Sequence, residues 1–156
     1  MCIPPSEKER LLKLAGLAEA INQGRISGDN LENALQLAWS ASLRCGGAPK
    51  DVLASLGYSV EEADLRVCGV IVRGRADIYL KKVFIDKESA EEITAKLEAE
   101  AGGNLLGNAQ ITGADVIAAH ELFHVLEPSS PSCLAELAAN LFASLYLRLP
   151  FYAGFV

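Results

Sequence analysis

Apolar positions in the first third of the chain recur every three or four residues. Leu11, Leu14, Leu17, Ala18 and Ile21 form one such row. With Ser6 and Glu9 as a capping-box start, the row predicts a helix from Ser6 to Gln23, stopped by Gly24. Leu31, Ala34, Leu35, Ala38 and Ala41 repeat the logic from Asp29 to Cys45, before Gly46 and Gly47. Trp39 in this stretch reads as a packing residue. A short helix is expected from Pro49 to Leu56, ending at Gly57. The rhythm then changes. Val67 to Val72 reads as a strand, Arg73-Gly74-Arg75 as a turn, and Ile78 to Ile85 as its hairpin partner. Asp86 to Glu100 returns to the helical period, with Ile93 and Leu97 inward and acids outward. Gly102 to Gly113 is a Gly/Asn-rich connection with room for a short strand, expected to be mobile.

Two more helices follow. Gly113-Ala114-Asp115 opens the first, with Asp115 as a cap or first-turn acid. Val116, Ile117, Ala119, His120, Phe123, His124 and Leu126 make a broad, mostly apolar face. The run from Glu127 to Ser132 ends it, because Pro128 disfavours helix in the residue before it. The second is expected from Ser132 to about Leu147, strongly apolar through Leu134, Leu137, Ala138, Leu141 and Phe142. Together these elements predict one α+β domain over residues 1–156, mostly helical with a small sheet. Residues 1–60 form a helical scaffold, 66–85 a β-hairpin, and 113–148 a helix pair.

Composition narrows the classes. A chain of 156 residues can bury a sizeable core without disulfide or metal staples. Its net charge of −6 argues against broad nucleic-acid binding. No run of about eighteen apolar residues suggests a membrane span. Met1 is followed by Cys, Ile, Pro, Pro and charges, with no apolar signal segment. Cys2, Cys45, Cys68 and Cys133 are widely spaced and read as free thiols, so a reducing cytoplasm is expected.

The chemistry lies in the first of the two late helices. The chain has two histidines, and both fall in His120-Glu121-Leu122-Phe123-His124. Helical positions four apart share a face, so two imidazoles so spaced can grip one metal ion. Glu121 then points toward water bound to that metal, the HExxH arrangement with the glutamate as general base. Buried imidazole nitrogens on an apolar face need partners, and a metal supplies one for each. Glu136, after eleven intervening residues, is the candidate third ligand, since zinc hydrolase sites commonly use two histidines and a carboxylate. Asn140, four residues further on the same face, can hydrogen-bond a ligand imidazole. Glu127, three residues after His124, is the rival third ligand. Cys133 is another, because a thiolate is a good zinc ligand.

His120-Glu-Leu-Phe-His124, then Glu136-Leu-Ala-Ala-Asn140-Leu-Phe-Ala143, then Pro150, resembles the ImmA/IrrE-type metallopeptidases and related minimal gluzincins. The resemblance covers roughly the last forty-five residues and rests on two motifs in the same order. It implies a zincin-like fold with a small sheet beside the HExxH helix. It also implies zinc held by His120, His124 and Glu136, with Glu121 as catalytic base and Asn140 supporting a ligand. The implied activity is peptide hydrolysis, with a peptide or protein as substrate; from the charge and the apolar runs, neither nucleic acid nor membrane is expected as partner. Tyr79, Tyr146, Arg148 and Tyr152 stand as candidates for stabilising the oxyanion. The alternative is a non-catalytic metal-binding or partner-binding domain derived from a peptidase. The oligomeric state stays open.

Overall fold

The structure is a computed structural model that describes residues 1–66, 68–101 and 110–155. Its elements in chain order are helices α1 (Pro5–Leu12), α2 (Leu17–Asn22), α3 (Gly28–Ser42) and α4 (Pro49–Ser55), and strands β1 (Ser59–Ala63), β2 (Gly74–Asp77) and β3 (Lys82–Asp86). Helices α5 (Lys87–Ala101), α6 (Gly113–Leu126) and α7 (Ser132–Tyr146) follow, with a short 3-10 turn at Ala153–Phe155. This is an α+β fold with a small mixed sheet. No described helix is long and apolar enough to cross a membrane.

The single helix expected from Ser6 to Gln23 is two helices. Gly16 takes φ +89°, a conformation that breaks the α-helical path and that glycine adopts without strain. The break lets Ala15 form a bridge with Phe151, and the Tyr152 N–H donates to the Ala15 carbonyl at 2.9 Å. Leu11, Leu14 and Leu17 are buried as the period requires, whereas Ala18 is exposed. Ser6 and Glu9 make no capping box, because the helix starts one residue earlier at Pro5, a proline at N1 where no N–H is needed. Glu9 pairs instead with Lys13 one turn on, at 2.9 Å.

Helix α3 matches its apolar pattern. Leu31, Ala34, Leu35, Ala38 and Ala41 are all buried, and the Ser27 hydroxyl caps it by accepting from the Asn30 N–H at 3.2 Å. This face packs on α7, and α7 packs on α6. Phe123 of α6 and Phe142 of α7 meet at the centre with ring centroids 5.8 Å apart, both fully buried. Truncating a phenylalanine in such a place costs about 3–5 kcal/mol.

The sheet departs from expectation. The hairpin turn falls at residues 78–81, not at 73–75, and Arg73 to Asp77 leads into and forms a strand. Asp77 sets this turn: its Oδ1 accepts from the N–H groups of Tyr79 and Leu80 at 3.0 and 2.9 Å. Strand β2 therefore runs antiparallel to β3 with Arg75 opposite Phe84. Strand β1 was not expected, since its Ser-Val-Glu-Glu-Ala sequence has no apolar alternation, yet it pairs parallel to β3. The order is β1-β3-β2, which leaves β2 at an edge beside α6. Of the strand expected at Val67 to Val72, Val67 lies outside the described residues, and Val70, Ile71 and Val72 are exposed and outside the strands. The Gly102 to Gly113 connection likewise lies mostly outside the described residues.

Asp86 joins sheet to helix. Its buried carboxylate caps α5 through the Ser89 N–H at 3.0 Å and hydroxyl at 2.6 Å, and takes the Leu65 N–H at 3.0 Å. These bonds, the Ser89 hydroxyl foremost, hold its pKa down to about 2. Ile93 and Leu97 of α5 then point inward as expected.

Candidate metal centre

Helix α6 is started by a reciprocal cap. The Thr112 hydroxyl accepts from the Asp115 N–H at 3.3 Å, and the Asp115 carboxylate accepts from the Thr112 N–H at 2.9 Å. Asp115 is thus a first-turn acid, two residues inside the helix. The helix stays regular through His120 and His124, which are half-buried on one face. Their Nε2 atoms lie 3.2 Å apart.

Helix α7 brings Glu136 to the same point. Ser132 is its first residue and Pro131 its N-terminal flank, so the expected serine cap is not formed. Glu136 Oε2 is 3.2 Å from His120 Nε2, and its Oε1 is 3.0 Å from His124 Nε2. The donor atoms of the three residues all lie within 4.8 Å of one another. Two bonds from the imidazoles, His120 first, pull the Glu136 pKa well below the usual carboxylate range. Burial disfavours the charged form of His120, but Glu136, Glu121 and the Asn140 bond outweigh it and raise its pKa.

Asn140 orients His120. Its Oδ1 is 2.8 Å from His120 Nδ1, and its amide nitrogen reaches the Tyr152 hydroxyl at 3.5 Å. An amide that donates to Tyr152 turns its oxygen to the ring, so Nδ1 carries a proton, and a metal would take the place of the Nε2 proton that His120 otherwise shares with Glu136. That tautomer is the one a metal needs. Two imidazole nitrogens and a carboxylate converging on one point fit a divalent metal such as zinc.

Glu121 lies beside this cluster and is not part of it. It is 6 % exposed, and the backbone N–H of Ala76 in β2 favours its charged form. Burial pushes its pKa up, opposed by the two histidines. Glu121, Glu136, His120 and Asn140 line one cavity of about 440 Å³ with Arg73 and Gly74. Gly74 is required there by space. A Cβ at this position would sit 2.5 Å from Ile117 Cγ2 and 3.0 Å from Glu121 Oε1.

The rival ligands are elsewhere. Glu127 ends α6 and pairs with Arg44, and neither it nor the exposed Cys133 joins the donor cluster. Of the four oxyanion candidates, Tyr79 is 93 % exposed on the hairpin turn, Tyr146 donates to the Gly47 carbonyl at 2.6 Å, and Arg148 pairs with Glu7 at 3.4 Å. Tyr152 alone of these touches a site residue, Asn140. Three contributors were not foreseen. Arg73 and Gly74 were read as turn, and the Ala76 N–H carries no side-chain signal at all. The Gly-flanked arginine pair was the available hint. Comparison with protein-family models, curated proteins and solved structures found no match for this chain.

Proposed function

We propose that the chain is a zinc-dependent peptidase of the gluzincin type, with His120, His124 and Glu136 as ligands and Glu121 as general base. One observation carries this reading: His120, His124 and Glu136 converge on one point, and Glu121 shares a cavity with His120 and Glu136 while staying out of their cluster. Structural metal sites close their coordination with protein ligands, whereas catalytic sites use three and leave one position open. The motif resemblance to ImmA/IrrE-type enzymes supports the same assignment.

Zinc bound there would acidify water toward a pKa of about 7 and polarise a carbonyl. The chain's own residues supply the rest. Glu121, with its pKa raised by burial, is suited to accept a proton from the attacking water and return it to the leaving amine. The Ala76 N–H favours its charged form. Asn140 keeps His120 in the ligating tautomer. The Arg73 carbonyl accepts from the Asp86 N–H at 2.7 Å, so the alternation of an antiparallel pair turns the main-chain groups of Gly74 and Ala76 outward. Gly74 thereby offers a substrate peptide an edge to pair with in extended form. The free thiols of Cys2, Cys45, Cys68 and Cys133 support a reducing cytoplasm as the working compartment.

The test is zinc content together with peptide hydrolysis in wild type and Glu121→Gln. The proposal requires about one zinc per chain in both and hydrolysis only in wild type. Zinc in both without hydrolysis in either would refute catalysis, and loss of zinc in the variant would make Glu121 a ligand.

A further inference from the structure

Arg73 is the cavity residue that the hydrolytic reading leaves without work. Its backbone is pinned to β3 through the Asp86 N–H. Its side chain lines the same cavity as His120, Glu121 and Glu136. The guanidinium makes one long contact, Nη1 to the Ala153 carbonyl at 3.5 Å. Among the described residues no carboxylate lies within ion-pair distance of it. Desolvation lowers its pKa, with only the more distant charge of Glu92 opposing. A guanidinium in this position has unused donors arranged to take a carboxylate through two parallel bonds.

Part of the wall is aliphatic. Ile93, Val116 and Ile117 are nearly fully buried and form its floor, while Ile71 and Val72 stand exposed at its rim. A cavity of about 440 Å³ is near the lower end of ligand-site volumes, about 300–1,000 Å³, and suits a short segment of chain.

Resting on the peptidase reading, we infer that this cavity takes the C-terminal end of a peptide, with Arg73 binding the free carboxylate and the aliphatic wall receiving an aliphatic last side chain. The reaction would then remove that residue. The oxygen of water joins the acyl carbon, the C–N bond breaks, and the proton accepted by Glu121 ends on the amine of the released amino acid. Arg73 would act by touching the substrate carboxylate, away from the bond that breaks.

The test uses the zinc-loaded full chain and hydroxamates, which anchor on a metal without needing turnover. The probes are 2-isobutylsuccinic acid 4-hydroxamate, its 1-amide, and acetohydroxamate, with binding followed by calorimetry. Wild type should bind the acid about tenfold or more tightly over the amide, since a charge-assisted pair is worth at least one decade. Arg73→Met should erase that preference and leave acetohydroxamate unchanged, and Arg73→Lys should restore part of it. Equal binding of acid and amide by wild type would overturn the inference while leaving the metal site standing, as would a preference that survives in Arg73→Met. Failure of acetohydroxamate to bind would refute the metal reading itself and the inference with it.

Discussion

The ligand-bearing side of the cavity and the side that faces a substrate are built by different physics. On the α6–α7 side, the histidines and Glu136 project from helices whose shared interface is dry. Leu122, Phe123, Ala138, Ala139, Leu141 and Phe142 are all fully buried there. On the β2 side, Ile71, Val72, Ile78, Tyr79 and Leu80 are exposed, and the strand approaches α6 closely at Gly74, beside Ile117 and Glu121. Interior packing is rigid and has one good solution, which suits donor atoms that must converge on a point. An edge strand held by a few contacts can adjust, which suits a wall that meets a peptide.

The comparison breaks most visibly through core truncation. Phe142→Ala should cost about 3–5 kcal/mol in a denaturant titration and weaken zinc binding. Ile71→Ser, on the other side, should stay within about 0.5 kcal/mol and leave zinc binding intact. Similar losses in the two variants would show that the sides are not mechanically distinct.

Gly74→Val sharpens the contrast where the sides touch. Its side chain must displace Ile117 or lift β2, at a cost of about 1–3 kcal/mol. Zinc stoichiometry should survive, and peptide hydrolysis should fall because Glu121 loses its seat against β2. A variant that stays fully active would mean that the close approach of strand and helix is dispensable.

Legibility in the sequence follows the same divide. Helices α3, α5, α6 and α7 were readable because their apolar positions keep one period and face one core. The metal-ligand candidates were readable because His120, His124 and Glu136 sit on such helices at spacings that determine direction. The hairpin misled because Val70-Ile71-Val72 has strand composition but no buried face to hold it in the sheet. Arg73-Gly74-Arg75 resembled a turn because glycine is usually conformational, whereas Gly74 is there for closeness to Ile117. Strand β1 carried no pattern, and its pairing with β3 is a long-range event. The break at Gly16 was hidden inside a good helical period, and the partner of the adjacent Ala15, Phe151, lies 136 positions away.

A smaller effect concerns the joint between sheet and α5. Asp86→Asn should cost about 1 kcal/mol, the usual value of a helix cap. The pH dependence gives the sign. The folded pKa of Asp86, about 2, is below the unfolded value of about 3.9. Its contribution is therefore complete above pH 4 and disappears as pH falls toward 2. Wild type should lose stability across that window, and the variant should lose less. Identical acid limbs in urea melts would remove Asp86 from the account.

The smallest expected effect is at Glu127. Its pairing with Arg44 is partly solvent-exposed, and such pairs contribute about 0–1 kcal/mol. Glu127→Ala should leave zinc affinity unchanged, whereas Glu136→Ala should remove most of it. The reverse ranking in a zinc titration would return Glu127 to the first place among third-ligand candidates.

The central claim is that one zinc ion sits between α6 and α7, held by both helices. Anomalous diffraction from crystals of the zinc-loaded chain, collected on either side of the zinc absorption edge, tests it most directly. The account predicts one peak about 2.0–2.2 Å from His120 Nε2, His124 Nε2 and a carboxylate oxygen of Glu136, with Glu121 beyond coordinating distance. A peak ligated by Glu127 or Cys133, or no peak at the two histidines, would contradict it.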